Sequence, residues 1–215
     1  MRMRRKRHLD ERLEACMGLI IFPCAAAGIT DLEKPVHLEI GCGKGGFICE
    51  TARLHPDIFY LALEKQDNVL VTALERVMRS GIGNIAFIRA DADRIGEYLP
   101  PDSVARIYLN FPTPFFKNTY AKHRLTHEMF LNIYKTVLNS GGRISLRTDN
   151  RMMYDFSLLN MRNGGFITEC FTGGQRPADG GDYVQTEYEE KFTSQGMEIY
   201  YIEAVKTIGR LPLIP

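Results

Sequence analysis

The stretch Glu39-Ile-Gly-Cys-Gly-Lys-Gly45 follows directly on Val36-His-Leu38 and indicates a buried strand that turns sharply into a helix. Its alternating glycines allow a tight turn and let backbone N–H groups approach a ligand without a Cβ in the way. A helix that begins near Phe47 would direct its partially positive end at that ligand. The stretch therefore predicts a site for a nucleotide-like cofactor.

The glycine spacing alone leaves the class of cofactor open. Gly41, Gly43 and Gly46 match the fingerprint of dinucleotide-binding loops, in which a pyrophosphate lies on the same helix end. The loop is equally typical of S-adenosylmethionine sites, and a plain strand-to-helix turn is a third interpretation. The residues that follow the other strands are needed to choose between these three interpretations.

Composition limits the class of protein. The chain has 215 residues, 45% of them hydrophobic, which predicts one substantial core and a single domain. No apolar run approaches the roughly 20 residues that span a bilayer, and the N-terminus lacks the pattern of a signal peptide, so we expect a cytoplasmic protein. Five scattered cysteines without ligand spacing predict reduced thiols and no metal site.

Charge is clustered rather than spread over the chain. The formal net charge of +1 excludes a basic field over the whole protein, so binding of nucleic acid would depend on local clusters. The segment Arg2–His8 is either a flexible arm that neutralises phosphates or a solvated, disordered terminus. We therefore interpret residues 1–30 as a basic N-terminal arm and a leading helix. A second basic cluster extends from Lys117 to Arg124.

Short β-rich apolar runs alternate with segments of helical periodicity, a pattern typical of a parallel sheet. Two last strands are expected to pair as a closing hairpin, with a capped, charged surface turn at Thr186–Glu189 between them. The predicted strands are Val36–Ile40, Ile58–Leu63, Ile85–Ile88, Val104–Leu109, Arg143–Leu146, Phe166–Phe171 and Glu198–Lys206. The predicted helices are Phe47–Leu54, Asn68–Met78, Arg94–Leu99, His127–Leu138 and Met152–Asn163.

Carboxylates follow the second and third predicted strands, where parallel sheets bind their ligands. Glu64 comes about 20 residues after the glycine loop and is placed to accept both ribose hydroxyls of a nucleoside, with helix capping as the alternative. Asp91 follows the third strand and can accept a hydrogen bond from an adenine amino group. Asp93 is expected to cap the next helix.

The fourth strand leads into Asn110-Phe-Pro-Thr-Pro-Phe-Phe116, in which two prolines predict a stiff loop over the reacting group. Phe115 and Phe116 offer faces on which a base can stack, although buried packing explains either one equally well. The basic run that begins at Lys117 comes next. It is suited to phosphate contacts, with a solvated charged surface as the alternative.

Taken together, these stretches resemble the bacterial tRNA (guanine-N7)-methyltransferases. The resemblance is carried by LEIGCGKG (38–45), ALE (62–64), DAD (91–93), NFPTPF (110–115), HRLT (123–126), RTDN (147–150) and TEYEEKF (186–192). It implies a class I methyltransferase fold, a Rossmann-like, doubly wound α/β sheet of seven mostly parallel strands with an antiparallel final strand. A single methyltransferase domain would then occupy residues 31–215, with S-adenosylmethionine as cofactor and tRNA as partner, without metal, in a monomer or homodimer.

The resemblance also implies roles for single residues. Glu39, Glu64 and Asp91 fall on the family's cofactor-binding positions. With the loop glycines Gly41, Gly43 and Gly45, and with Ala92, they make up the predicted cofactor site. Lys117, Asp149, Thr186 and Glu189 fall on positions that the family uses for tRNA. Arg124 is expected to bind tRNA as part of the basic run. The family usually has Phe-Pro-Asp-Pro-Trp after the fourth strand, with the Asp assigned as catalytic. Here Thr113 takes the position of that Asp, and Phe115 replaces the Trp.

Other functions stay open at this stage. A noncatalytic RNA-binding module could keep the cofactor fold, and Asn110-Phe-Pro-Thr-Pro-Phe115 faintly echoes the loop of enzymes that methylate exocyclic amino groups. A nicotinamide-dependent oxidoreductase rests on the glycine spacing alone. Guanine N7 carries a lone pair and no proton, so its methylation needs no general base, and Thr113 is compatible with an active but slower enzyme.

Overall fold

Seven strands of the computed structural model form one sheet, and the structure describes residues 4–23, 33–175, 177 and 183–207. The strands are β1 (Val36–Ile40), β2 (Phe59–Leu63), β3 (Ile85–Ile88), β4 (Val104–Asn110), β5 (Leu138–Thr148), β6 (Phe166–Phe171) and β7 (Tyr200–Lys206). Their order in the sheet is β3-β2-β1-β4-β5-β7-β6. Only β7 runs antiparallel to its neighbours in this sheet. The predicted α/β class, with an antiparallel final strand, is confirmed.

Helices connect the strands and cover both faces of the sheet. They are α1 (Leu9–Glu14), α2 (Gly46–Leu54), α3 (Asp67–Ser80), α4 (Ile95–Tyr98), α5 (Glu128–Val137), α6 (Arg151–Asn163) and α7 (Glu187–Ser194). In α3 the buried residues Leu70, Ala73, Leu74 and Val77 are three and four positions apart, so one stripe faces the sheet. Gly81 ends this helix in a left-handed conformation.

Two apolar layers sandwich the sheet. Leu38 and Ile40 of β1 belong to the layer that contains α4, α5 and α6. Tyr60 and Ala62 of β2 belong to the layer formed with α1, α2 and α3. Adjacent residues of a strand point to opposite faces, which is why apolar side chains run without interruption along β2, whereas His37 and Glu39 alternate with the apolar residues of β1.

The strand order reverses between β1 and β4. From β1 the chain moves outward through β2 to β3, then returns to the other side of β1 to form β4 and β5. Open α/β sheets bind ligands in the crevice that this reversal opens at the carboxyl ends of the strands. The fold therefore places the candidate site beside Glu39 of β1 and Asn110 of β4.

The N-terminal segment is docked on α3 over the residues that the structure describes. Arg12 makes two hydrogen bonds to Glu75, at 2.6 and 2.8 Å. The Asn68 side chain accepts from the Lys6 backbone N–H at 2.8 Å and donates to the Arg4 carbonyl at 3.1 Å. The backbones of Arg4 and Lys6 are therefore held by a side chain of α3, unlike those of a loose arm, while residues 1–3 and 24–30 of the predicted arm segment lie outside the description.

Two predictions differ from the structure by more than a shift of one or two residues at a boundary. Strand β5 begins at Leu138 and not at Arg143, because Leu138 pairs with Val104 before the register shifts. The segment after Thr186 is the helix α7 and not a turn, and it lies in the connection between β6 and β7, which pair as predicted. No helix in the described ranges is long and apolar enough to cross a bilayer.

Candidate cofactor and substrate site

Glu39 and Asn110 meet across the crevice between β1 and β4. The Asn110 amide nitrogen donates to Glu39 Oε1 at 2.8 Å. The second carboxylate oxygen, Glu39 Oε2, and the amide oxygen, Asn110 Oδ1, are both buried without a hydrogen-bond partner in the part of the chain that the structure describes. Buried acceptors of this kind are rare, so the pair indicates a place for a ligand that donates hydrogen bonds.

Glu39 is only 2% exposed, and this burial changes the pKa of its side chain. Loss of hydration raises its pKa to about 7, although the hydrogen bond from Asn110 and the charge of Arg147 act in the opposite direction. The carboxylate is therefore poised to gain a positively charged partner, which would restore its ionised form.

The glycine loop combines open space with tight packing. Gly41 and Gly43 have φ angles of +80° and +60°, and a Cβ built on either would meet no atom within 4 Å. A Cβ on Gly45 would lie 2.9 Å from the Cβ of Ala73 in α3. The first two glycines therefore border the volume available to a ligand, whereas Gly45 lets α2 pack closely against α3.

Glu64 is held at the end of β2 by the glycine loop. Its two oxygens accept hydrogen bonds from the backbone N–H groups of Gly43, at 3.2 Å, and Gln66, at 2.8 Å. The carboxylate is buried but retains further lone pairs, since each oxygen can accept more than one hydrogen bond. This arrangement fixes an acceptor at the strand end next to β1.

Asp91 follows β3 and is partly exposed. Its Oδ1 accepts from the Ala92 backbone N–H at 2.8 Å, and its Oδ2 pairs with Lys65 Nζ at 2.8 Å. Desolvation raises its pKa, but these two contacts outweigh it and leave the pKa below its usual value. The prediction that Asp93 caps the next helix is wrong, because the Asp91 side chain caps the short 3-10 turn at 92–94. Glu39, Glu64 and Asp91 thus follow one another along three adjacent strand ends.

Residues 111–116, here called the proline loop, leave the end of β4 in an unusual conformation. Phe111 and Phe115 have φ angles of +50° and +43°, in the left-handed region that costs a non-glycine residue roughly 1–2 kcal/mol. Phe111 packs against Tyr188 and Phe192 of α7, with ring centroids 6.0 and 5.7 Å away. The predicted stiffness of the loop therefore has support from α7 as well as from its prolines.

Arg124 supports the other end of the proline loop. Its guanidinium donates to the carbonyls of Pro114 and Phe115, both at 2.9 Å, and lies 4.4 Å above the ring centre of Phe156. Only 3% of the residue is exposed. Direct binding of tRNA by Arg124 is therefore not supported, because Nε and one terminal nitrogen are already engaged by carbonyls of the loop. Lys117, by contrast, is exposed at the start of the basic run.

Thr186 and Glu189 also turn inward. The Thr186 hydroxyl accepts from the Glu189 backbone N–H at 3.0 Å and caps α7, as the sequence predicts. The Glu189 side chain is fully buried, accepts from the hydroxyls of Tyr183 and Tyr201, and lies 3.4 Å from the Arg147 guanidinium. A surface position for Glu189 is thus wrong, and its direct contact with tRNA is not supported, because its oxygens face the interior.

Thr113, Phe116 and Asp149 are not buried, unlike the residues just described. Thr113 is exposed in the middle of the proline loop, and Phe116 is 73% exposed beside it. Asp149 is half-buried at the end of β5 and makes no hydrogen bond to any residue of the described ranges. The sequence analysis did not identify Asn110 as the hydrogen-bond donor to Glu39. Its position at the end of β4, beside a strand that carries a buried glutamate, was a usable signal.

The strand order, the antiparallel β7 and the glycine loop at the crevice define a class I S-adenosylmethionine-dependent methyltransferase fold. A 16S rRNA (adenine(1408)-N(1))-methyltransferase from Catenulisporales acidiphilia has the same fold, with a TM-score of 0.62, 12% identity, and coverage of 90% of this chain and 95% of that one. An O-methyltransferase from Thermotoga maritima matches with a TM-score of 0.57 and 17% identity, over 98% of this chain and 70% of that one.

Sequence similarity narrows the class. A family described as putative methyltransferase matches residues 33–202. Proteins named tRNA (guanine-N(7)-)-methyltransferase are similar at 40% identity in Geobacillus kaustophilus, over 81% of this chain and 80% of that protein, and at 37% in Clostridioides difficile, over 96% and 99%. The chain belongs to the family of bacterial tRNA (guanine-N7)-methyltransferases.

Proposed function

We propose that the protein transfers the methyl group of S-adenosylmethionine to N7 of a guanine in tRNA. The observation that carries this proposal is the Glu39–Asn110 pair, with two buried acceptor oxygens that lack a partner beside the glycine loop. The names of the similar proteins support guanine N7 in tRNA as the methyl acceptor.

The residues present fit S-adenosylmethionine. Its amino-acid part carries an ammonium group, which suits the unpartnered oxygens of Glu39 and Asn110. Gly41 and Gly43 border open space for the adenosyl part, and the Glu64 carboxylate at the end of β2 suits the ribose hydroxyls. A dinucleotide would bring a negatively charged pyrophosphate next to these carboxylates, which disfavours that alternative.

Asp91 and Ala92 would hold the adenine ring at the end of β3. The Asp91 carboxylate can accept from the exocyclic amino group, and its contact with Lys65 keeps it ionised. When bound, S-adenosylmethionine supplies an electrophilic methyl group on a sulfonium. The protein then has to hold a guanine with N7 in line with that methyl group.

The protein contributes position rather than proton transfer. Guanine N7 attacks through its lone pair, so no side chain has to remove a proton, and alignment supplies most of the rate enhancement. Thr113 offers a hydroxyl at the position where the family usually has Asp. The proline loop holds this hydroxyl in place, but the hydroxyl lacks the negative charge of an Asp carboxylate. We therefore expect a competent enzyme that is slower than one with Asp.

The tRNA would bind over the proline loop and the basic run. Lys117, Lys122 and His123 are exposed there and suited to phosphate contacts, and the exposed Phe116 ring can stack on a base. A guanine within a paired or stacked region must be extruded, at a cost of a few kcal/mol, which such stacking offsets in part. Asp149 is available for a hydrogen bond to the tRNA.

The test is methyl transfer to unmodified tRNA, with the modified position mapped by mass spectrometry. Wild type should produce 7-methylguanine, and Thr113→Asp should give a higher rate. The matched control is the same tRNA with 7-deazaguanine at the mapped position, which lacks the nitrogen that accepts the methyl group. It should bind but remain unmethylated.

Other products would point elsewhere. Methylation of an exocyclic amino group would replace the proposed acceptor atom while leaving the cofactor site intact. Binding of tRNA and cofactor without turnover in both wild type and Thr113→Asp would favour a noncatalytic RNA-binding module. Absence of S-adenosylmethionine binding in calorimetric titration would refute the proposal as a whole.

A further inference from the structure

We propose that Arg124 is a positioning residue for methyl transfer, which acts by holding the proline loop, and that it does not bind tRNA phosphates. The inference rests on the proposed function, because its readout is the rate of methyl transfer. It concerns a basic side chain within a basic run, where phosphate contact is the ordinary expectation.

The contacts of Arg124 use the planar shape of the guanidinium. Nε donates to the Pro114 carbonyl and a terminal nitrogen donates to the Phe115 carbonyl, each at 2.9 Å. The Phe156 ring lies against the guanidinium face, 4.4 Å from its central carbon. A two-point contact of this kind requires the rigid fork of arginine, and the ammonium of lysine cannot reproduce it.

The charge of Arg124 is not directed at solvent. The residue is 3% exposed, and no carboxylate among the described residues is within salt-bridge distance of it. Its hydrogen-bond partners are two neutral carbonyls of one loop. A phosphate that took over these two donors would have to displace the carbonyls, which would dismantle the loop that the substrate has to approach.

The loop connects Arg124 to the reacting groups. It begins next to Asn110, whose amide holds Glu39, and it carries Thr113 between two prolines. The two carbonyls that Arg124 holds lie on the other side of Thr113. Loss of these contacts would let the loop shift, and a displacement of about 1 Å in a reacting arrangement costs about 10²-fold in rate.

The experiment compares Arg124→Lys and Arg124→Leu with wild type in single-turnover methyl transfer at saturating tRNA and S-adenosylmethionine. Both variants should lose at least tenfold in rate, because neither restores the fork. The dissociation constant of tRNA should keep the salt dependence of wild type in both. Hydrogen exchange at the Thr113 and Phe116 amides should become faster. Arg162→Leu, an exposed arginine at the end of α6, is the matched control and should leave the rate unchanged.

A phosphate contact would give a different pattern. Arg124→Lys would then retain the rate, and Arg124→Leu would lower the slope of log affinity against log salt by about 1 while leaving the single-turnover rate intact. That result would overturn the proposal. If Arg124→Leu does not fold, Phe156→Leu takes its place, since loss of the supporting ring should slow methyl transfer without a change in the salt slope. An unchanged rate in Phe156→Leu and Arg124→Lys together would equally refute it.

Discussion

Glu39→Gln should change how the stability of the ligand-free protein depends on pH. Burial raises the Glu39 pKa from 4.5 to about 7 in the folded protein, so between these values the folded state binds more protons than the unfolded state. The stability that this proton contributes is present below pH 4.5 and is lost as the pH rises through 7. The shift corresponds to about 3 kcal/mol, from about 1.4 kcal/mol for each pKa unit.

Urea unfolding of wild type and Glu39→Gln at a series of pH values from 5 to 9 measures this difference. The free energy of unfolding of wild type should fall relative to that of Glu39→Gln by most of the 3 kcal/mol, and the difference should level off above pH 8. Glu97→Gln changes an exposed carboxylate that pairs with Arg94 and should not reproduce the effect. Parallel curves for wild type and Glu39→Gln would show that Glu39 is not buried as described.

Three further experiments, two substitutions and one chemical labelling, test other parts of the structure. Gly45→Ala should lower the free energy of unfolding by about 3 kcal/mol in denaturant titration, since the left-handed φ and the contact with Ala73 both become unfavourable; Ala73→Gly in addition should recover only the crowding part. Glu189→Leu should cost about 3–5 kcal/mol, because it removes a buried carboxylate that accepts from two tyrosine hydroxyls and lies beside an arginine. Iodoacetamide at pH 8 should label Cys42 and Cys49 only after unfolding, as burial raises the pKa of Cys49 to about 11 and that of Cys42 well above its usual value.

The sheet was predictable because its signals are local. Apolar runs and helical periodicity alternate along the chain, and a glycine loop marks the first strand-to-helix turn. Strand ends of a parallel sheet lie on one edge, so Glu64 and Asp91 could be assigned to that edge from their positions alone. The start of β5 was not predictable in this way, because Asn139-Ser-Gly-Gly142 reads as a loop, yet Leu138 pairs across a register shift.

Burial of charged residues could not be read from the sequence. Arg124 stands in a basic run that looks the same whether its arginine faces solvent or two carbonyls. Glu189 has exposed acidic neighbours in α7, and its own burial depends on tyrosine hydroxyls from other segments. The burial of such residues depends on tertiary contacts with other segments, and a local motif does not give the positions of those segments.

The support that α7 gives to Phe111 has a consequence for biosynthesis. When a ribosome has released the chain as far as β5, the nascent protein already has the glycine loop, Glu39 and Asn110, but the aromatic rings that hold Phe111 have not yet been made. The support of the proline loop by α7 is therefore completed late in synthesis, after both strands that border the crevice. Translation has to reach Phe192 before Phe111 has both of its ring partners.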